Sequence, residues 1–277
     1  MTLKVLNIVA GLATRAWCRR ASFLAAAFLV LGPPPARAQE IGEGPTSLII
    51  TFQCAAEKKA AFRAHMTGPG VNQFEKWKKE GVFKDYLILF SSYTNSGETA
   101  PDMMIRLDFT KYVDTANWKA IERKAPAGMT PEALQLCTPV TSYLADLGFH
   151  GGPSAQRDLS KAVYLWIPYH LEKGVGKPTY KKYFDTYVKP QNDGWLEDGA
   201  LSWWGVYFNQ HNTGKPWDML FLYEYSDLLG LARRDQVKEA VRAKLKNDPA
   251  WKKVSDEKQN YRIEDQVIIM DPIIPAR

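Results

Sequence analysis

Trp77-Lys78-Lys79-Glu80-Gly81 recurs 118 residues later as Trp195-Leu196-Glu197-Asp198-Gly199, and the correspondence continues along the chain. The same offset pairs Phe90 with Phe208 at the end of a strand-like run. After a loop two residues shorter in the second half, Asp102-Met103 pairs with Asp218-Met219, and Asp108-Phe109 with Glu224-Tyr225. An ordered series with one small indel reads as duplication of one structural unit, which restricts the fold more than any single motif does.

The repeat begins only after an exported-type start. Residues 1–38 carry five basic residues and no acid, then the apolar run Ala21–Gly32, Pro33-Pro34-Pro35, and the small-residue site Ala36-Arg37-Ala38. That order is a secretory signal cleaved after Ala38. Its apolar run of about 12 residues is short of the roughly 20 a membrane span needs. The expected location is therefore periplasmic or secreted, without stable membrane insertion after cleavage. Removing these five charges leaves 31 basic and 30 acidic residues among 239. A near-neutral body lacks the electrostatic footprint of a nucleic-acid binder.

Each half reads strand, helix, two strands, helix, strand. In the first half the strands are Ser47–Gln53, Phe83–Tyr93, Met103–Phe109 and Thr141–Phe149. Helix is expected over Ala55–Met66, broken by Gly68-Pro69-Gly70, then over Val71–Lys79, Asp114–Lys124 and Pro131–Leu136. The second half gives strands Lys161–Ile167, Leu201–Asn209, Met219–Tyr225 and Arg262–Met270, with helices Pro178–Val188 and Leu229–Asn247. The turn-rich segment Asn95–Pro101 and the linker Gly151–Ser154 complete the layout. Domain bounds follow as 1–38, 39–152 and 153–277.

Side-chain parity along the strands separates two surfaces. Met103, Ile105, Leu107 and Phe109, aligned with Met219, Phe221, Tyr223 and Tyr225, face the helices, as do Leu48, Ile50, Phe52, Val163, Leu165 and Ile167. The opposite face gathers Thr51, Gln53, Arg106, Asp108, Tyr164, Trp166 and Glu224. Of these, Gln53, Arg106, Asp108, Tyr164, Trp166 and Glu224 form a candidate ligand-binding set. The same residues read equally well as a filled core in which Arg106 pairs with Asp108 or Glu224.

Sixteen of the 34 aromatic residues fall between Tyr164 and Tyr225, which makes the second half the better lining for an aromatic or planar ligand. Tyr180, Tyr183, Phe184 and Tyr187, at helical spacing, read as packing rather than as a cofactor box. The basic residues Arg233, Arg234, Lys238, Arg242, Lys244 and Lys246 read as a solvated helix face. Four histidines, His65, His150, His170 and His211, make no metal-ligand spacing, so no metal site is expected. His170, after the first strand of the second half, is the candidate catalytic base.

The βαββαβ order, its duplication, and Asp248-Pro249-Ala250-Trp251 resemble the dimeric α+β barrel superfamily, with NIPSNAP-like and EthD-like proteins as the nearest groups. The resemblance implies an α+β fold of two ferredoxin-like repeats packed sheet to sheet, an intramolecular barrel. It implies either a small-molecule-binding protein without catalysis or a cofactor-free oxygenase or isomerase using His170 or an interior carboxylate. A haem peroxidase is the third possibility: Gly194–Gly199 resembles the Gly-x-x-Asp-Gly signature of dye-decolourising peroxidases with one residue inserted, which misplaces its Asp. No cofactor is expected, and the oligomeric state is left open. In a ferredoxin-like sheet the first and fourth strands are antiparallel neighbours, so Cys54 and Cys137 are expected to form a disulfide in an oxidising compartment. Two buried thiols are the alternative.

Overall fold

The computed structural model describes residues 45–93, 100–153, 158–211 and 214–275. The expected secretory signal lies outside the described residues, as do most of the Asn95–Pro101 turn and the end of the Gly151–Ser154 linker.

The elements of the first half are β1 (Thr46–Cys54), α1 (Lys59–His65), α2 (Val71–Lys79), β2 (Asp85–Ser91), β3 (Met103–Phe109), α3 (Thr115–Glu122), α4 (Pro131–Leu136) and β4 (Cys137–Gly151). Those of the second are β5 (Val163–Leu171), α5 (Lys177–Tyr183), α6 (Lys189–Glu197), β6 (Leu201–Asn209), β7 (Met219–Tyr225), α7 (Leu228–Ala232), α8 (Arg234–Leu245), α9 (Pro249–Asp256), β8 (Arg262–Glu264) and β9 (Ile268–Pro272).

Every strand pairing is antiparallel. The first half pairs in the order β4-β1-β3-β2 and the second in the order β9-β5-β7-β6. Strands β2–β9 and β4–β6 join the halves, so the sheet closes into a ring. One face of each half-sheet is covered by helices. Phe62, Phe74 and Trp118 pack on Ile50, Phe52, Ile105 and Leu107 in the first half. Tyr180, Tyr183 and Trp251 pack on Leu165, Ile167 and Phe221 in the second. The remaining faces turn inward on a third cluster that includes Ile49, Met104, Tyr164, Trp166, Leu220 and Leu222. Strand parity thus reads correctly in both halves.

Gly68-Pro69-Gly70 breaks the first helix as expected: Gly68 leaves helical backbone at φ −115°, ψ −105°, and α2 sets off beyond this kink. Several element bounds differ from expectation. A helix, α6, was not expected after Pro178–Val188. Pro190 falls in its first turn, where the missing N–H costs nothing. Leu229–Asn247 is two helices, because Asp227 caps α7 by accepting from Gly230 N–H, and α8 restarts at Arg234. Asp248 likewise caps α9 by accepting from the N–H groups of Ala250 and Trp251. Strand β4 begins four residues early, at Cys137, across a bulge where Phe52 faces Pro139 and Thr51 faces Thr141. Arg262–Met270 is interrupted: β8 and β9 both lie along β5, and Asp265 N–H donates to the carbonyl of Pro168 between them. Among the described residues no helix is long and apolar enough to cross a membrane.

Candidate functional site

The inner face brings four of the expected ligand-binding residues together. Tyr164 and Glu224 are register partners on β5 and β7, and the Tyr164 hydroxyl donates to the Glu224 carboxylate. Arg106 Nε donates to Asp108 at 3.1 Å, a terminal nitrogen reaches the same oxygen at 2.9 Å, and the other donates to the Tyr207 hydroxyl at 2.8 Å. Burial works against the Arg106 charge, but Asp108 together with Tyr207 and Tyr164 outweighs it and holds the guanidinium firmly protonated. Ser47 donates to Asp108 and Ser202 to Glu224, both at 2.7 Å. Tyr207, Ser47 and Ser202 had no motif to announce them; only register places them here.

These side chains are packed. Trp166 and Tyr164 are at most 3% exposed, within a cluster completed by Trp203, Tyr207, Leu220 and Leu222. On this inner face Arg106 is paired to Asp108. Gln53 does not join the set: it faces Thr138 near the opposite end of β1, about 20 Å of strand from Ser47. His170 shares the inner parity of β5 but lies six residues beyond Tyr164, half-exposed, with Nδ1 3.7 Å from Asp218.

A cavity of about 350 Å³ lies on the other side of the second half-sheet, under its helices. Its floor is Ile167, Tyr169, Tyr223 and Tyr225 of β5 and β7. Tyr183, Tyr187, Val188, Gln191, Asn192 and Trp195 form one wall; Arg234, Lys238 and Arg242 of α8 form another; Lys258, Gln259, Arg262 and Glu264 close it. Helices α6 and α8 meet closely because residue 194 is glycine: a Cβ there would come within 2.7 Å of Val241. Under the helices of the first half, Phe74, Phe83, Trp77 and Trp118 pack against one another.

Two readings of these residues are corrected. Tyr183 and Tyr187 of the aromatic stripe line a cavity as well as packing the core, and Arg234, Lys238 and Arg242 face that cavity rather than bulk solvent alone. Their spacing of four residues was the legible signal, since it puts all three on one stripe of α8.

The lining is rich in donors. Five cationic side chains face one carboxylate, Glu264, which already accepts from the Tyr169 hydroxyl at 2.6 Å. Arg242 Nε donates to Gln191 at 2.8 Å. Burial, then the Arg242 and Arg234 charges, push the Lys238 ammonium below its ordinary range. The Asn192 amide accepts from Tyr223 at 3.2 Å, but its buried nitrogen has no partner, and neither has the Trp195 indole nitrogen. Buried donors without acceptors are costly unless something supplies one.

Burial raises the phenols of Tyr169, Tyr180, Tyr183 and Tyr223, and that of Tyr225 up to about 12. Groups raised in the folded state contribute stability that is complete below the unfolded value of 10 and falls as pH rises beyond it. The expected result is an alkaline transition in which phenolate absorbance rises together with loss of near-ultraviolet circular dichroism. Smooth ionisation of all tyrosines near pH 10 in an intact fold would contradict it.

No family profile matches the chain, and no curated protein matches it. Among solved structures it is similar to an anthrone oxidase-like protein, with a TM-score of 0.50 and 11% identity over 85% of this chain and 97% of the other. A protein assigned as a monooxygenase in Fusobacterium nucleatum subsp. nucleatum gives 0.48 and 15% over 83% and 93%. A mutant chlorite dismutase from Candidatus Nitrospira defluvii gives 0.45 and 13% over 83% and 92%. At such identity the likeness to the anthrone oxidase-like protein is one of fold: a mixed α+β chain built on a large antiparallel sheet.

Proposed function

We propose that the chain is an exported small-molecule-binding protein, cut after Ala38, that holds an anionic ligand in the cavity of its second half. The observation that carries this reading is the imbalance of the lining: five cations and two unpartnered buried donors against Glu264, which is engaged by Tyr169, and the exposed Asp235 beside Arg234 at 3.5 Å. An acceptor-rich anion would satisfy what the protein leaves unsatisfied. We further propose that the halves are copies of one ferredoxin-like unit, of NIPSNAP-like or EthD-like kind. In support, Asp102 and Asp218 each accept at 2.8 Å from an N–H at the end of their own half's first strand, Cys54 and Leu171.

The enzyme readings have less support. His170 does not line the cavity, so the expected catalytic base does not stand against a ligand there. Haem does not fit this lining, which contains no histidine, cysteine or methionine. Asp198 of the peroxidase-like segment is ion-paired with Arg233 at 2.8 Å, outside the cavity.

The test is titration of the mature protein with the fluorescent anion 1-anilinonaphthalene-8-sulfonate. One site is expected, weakened about tenfold by Arg242→Gln, the loss of one charged contact. No saturable binding, or binding indifferent to that change, would defeat the reading.

A further inference from the structure

The cavity's positive charge is sorted to its two ends. At one end Arg262 lies over the rings of Tyr169 and Phe221, 4.0 and 4.8 Å from their centroids. One terminal nitrogen donates to the Tyr180 hydroxyl at 3.2 Å, and no carboxylate among the described residues pairs with it. A guanidinium with a ring on its face still offers a planar fork of N–H donors along its edge, matched to a carboxylate. At the other end stands the α8 stripe of Arg234, Lys238 and Arg242, of which Arg234 reaches the exposed Asp235 carboxylate at 3.5 Å. Phe221 and Tyr225 are four residues apart on β7, so the two cationic ends stand over strand positions about 13 Å apart. Tyr223 lies between them, with the unpartnered amide nitrogen of Asn192 and the Trp195 ring beside it.

We propose that the ligand is a rigid aromatic dicarboxylate bridging these ends: one carboxylate on the edge of Arg262, the other on the α8 stripe, the ring lying along Tyr223. This rests on the anion-binding reading of the same cavity and adds the number, chemistry and placement of the charges. A single-ring acid satisfies one end and leaves the other's cations facing water. A rigid para-diacid meets both with little entropy to lose. Burial of Lys238 beside two arginines gives the second carboxylate a site where its charge relieves existing repulsion.

The experiment is calorimetric titration of the mature chain with terephthalate, benzoate and inorganic phosphate. Terephthalate is expected to bind at least tenfold more tightly than benzoate, and phosphate weakly. Arg262→Gln should bring terephthalate down to the level of benzoate, with Arg262→Lys restoring only part, since an ammonium lacks the fork. If Arg262 variants fail to fold, Arg242→Gln and Lys238→Gln test the other end by the same ratio. Equal affinity for benzoate and terephthalate would overturn the two-ended site while leaving the anion cavity standing. Binding of the anilinonaphthalene probe without either carboxylate would overturn the carboxylate chemistry. Binding of none of the three would fail the cavity itself.

Discussion

Arg106→Ala is expected to lower the unfolding free energy by about 3 kcal/mol, the low end of what breaking a buried ion pair costs, because Asp108 remains a quarter exposed. The substitution leaves Asp108 without its guanidinium and Tyr207 without its donor, inside a packed face. Replacing both charges, as Arg106→Met with Asp108→Leu, should recover much of the loss, since paired removal leaves no orphan charge. Urea titration measures both. The same variants should bind the anilinonaphthalene probe as the unaltered protein does, because no residue of this network lines the cavity under the helices. Lost binding with unchanged stability would return the site to the barrel interior.

Parity made the inner and outer faces legible, because a strand's two-residue period needs no knowledge of its neighbours. Arg106, Asp108, Tyr164 and Glu224 were found that way, and the structure brings them together. What parity cannot tell is whether a face is filled. That depends on the volumes of Trp203, Trp166 and Leu222 meeting from three different strands. The cavity was hidden for a related reason. Its cations lie on α8 among exposed Lys and Arg of the same helix, and only the close approach of α6 at Gly194 turns one stripe into a wall. Arg262 was unreadable because β8 was merged with β9, and the break between them depends on a tertiary hydrogen bond to Pro168.

The rings packed under the helices differ in chemistry between the two halves of the sheet. Both halves pack large rings of their helices against the sheet. In the first half Trp77 and Trp118 meet edge to face at 5.6 Å, and a Cβ on Gly128 would collide with both. In the second half tyrosines stand where phenylalanines and tryptophans do this work, and their hydroxyls require polar company. A polar lining follows from that requirement, and with the α8 stripe beside it the lining becomes cationic.

Removing the Cys54–Cys137 link, by Cys54→Ala with Cys137→Ala or by reduction, is expected to cost about 4 kcal/mol, the chain-entropy value for a separation of 83 residues. The two cysteines are register partners at the end of β1 and the start of β4, with Cα atoms 4.2 Å apart and their sulfurs bonded. The measurement is the urea midpoint of the oxidised and reduced protein, with a thiol count under denaturing, non-reducing conditions. The protein should be taken from an oxidising compartment, where an N-terminus at Gln39 would identify the processed form. Two free thiols per chain there would sink the bond as a native feature. The effect should reach beyond the β1–β4 pair. Strand β4 also pairs with β6, one of the two seams that close the ring. Loosening its first residues next to the Pro139 bulge, where the ladder is already interrupted, removes the anchor of a strand both halves share. Reduction should therefore speed amide exchange in β6 of the second half as well as in β1, whereas a purely local staple would leave β6 protected.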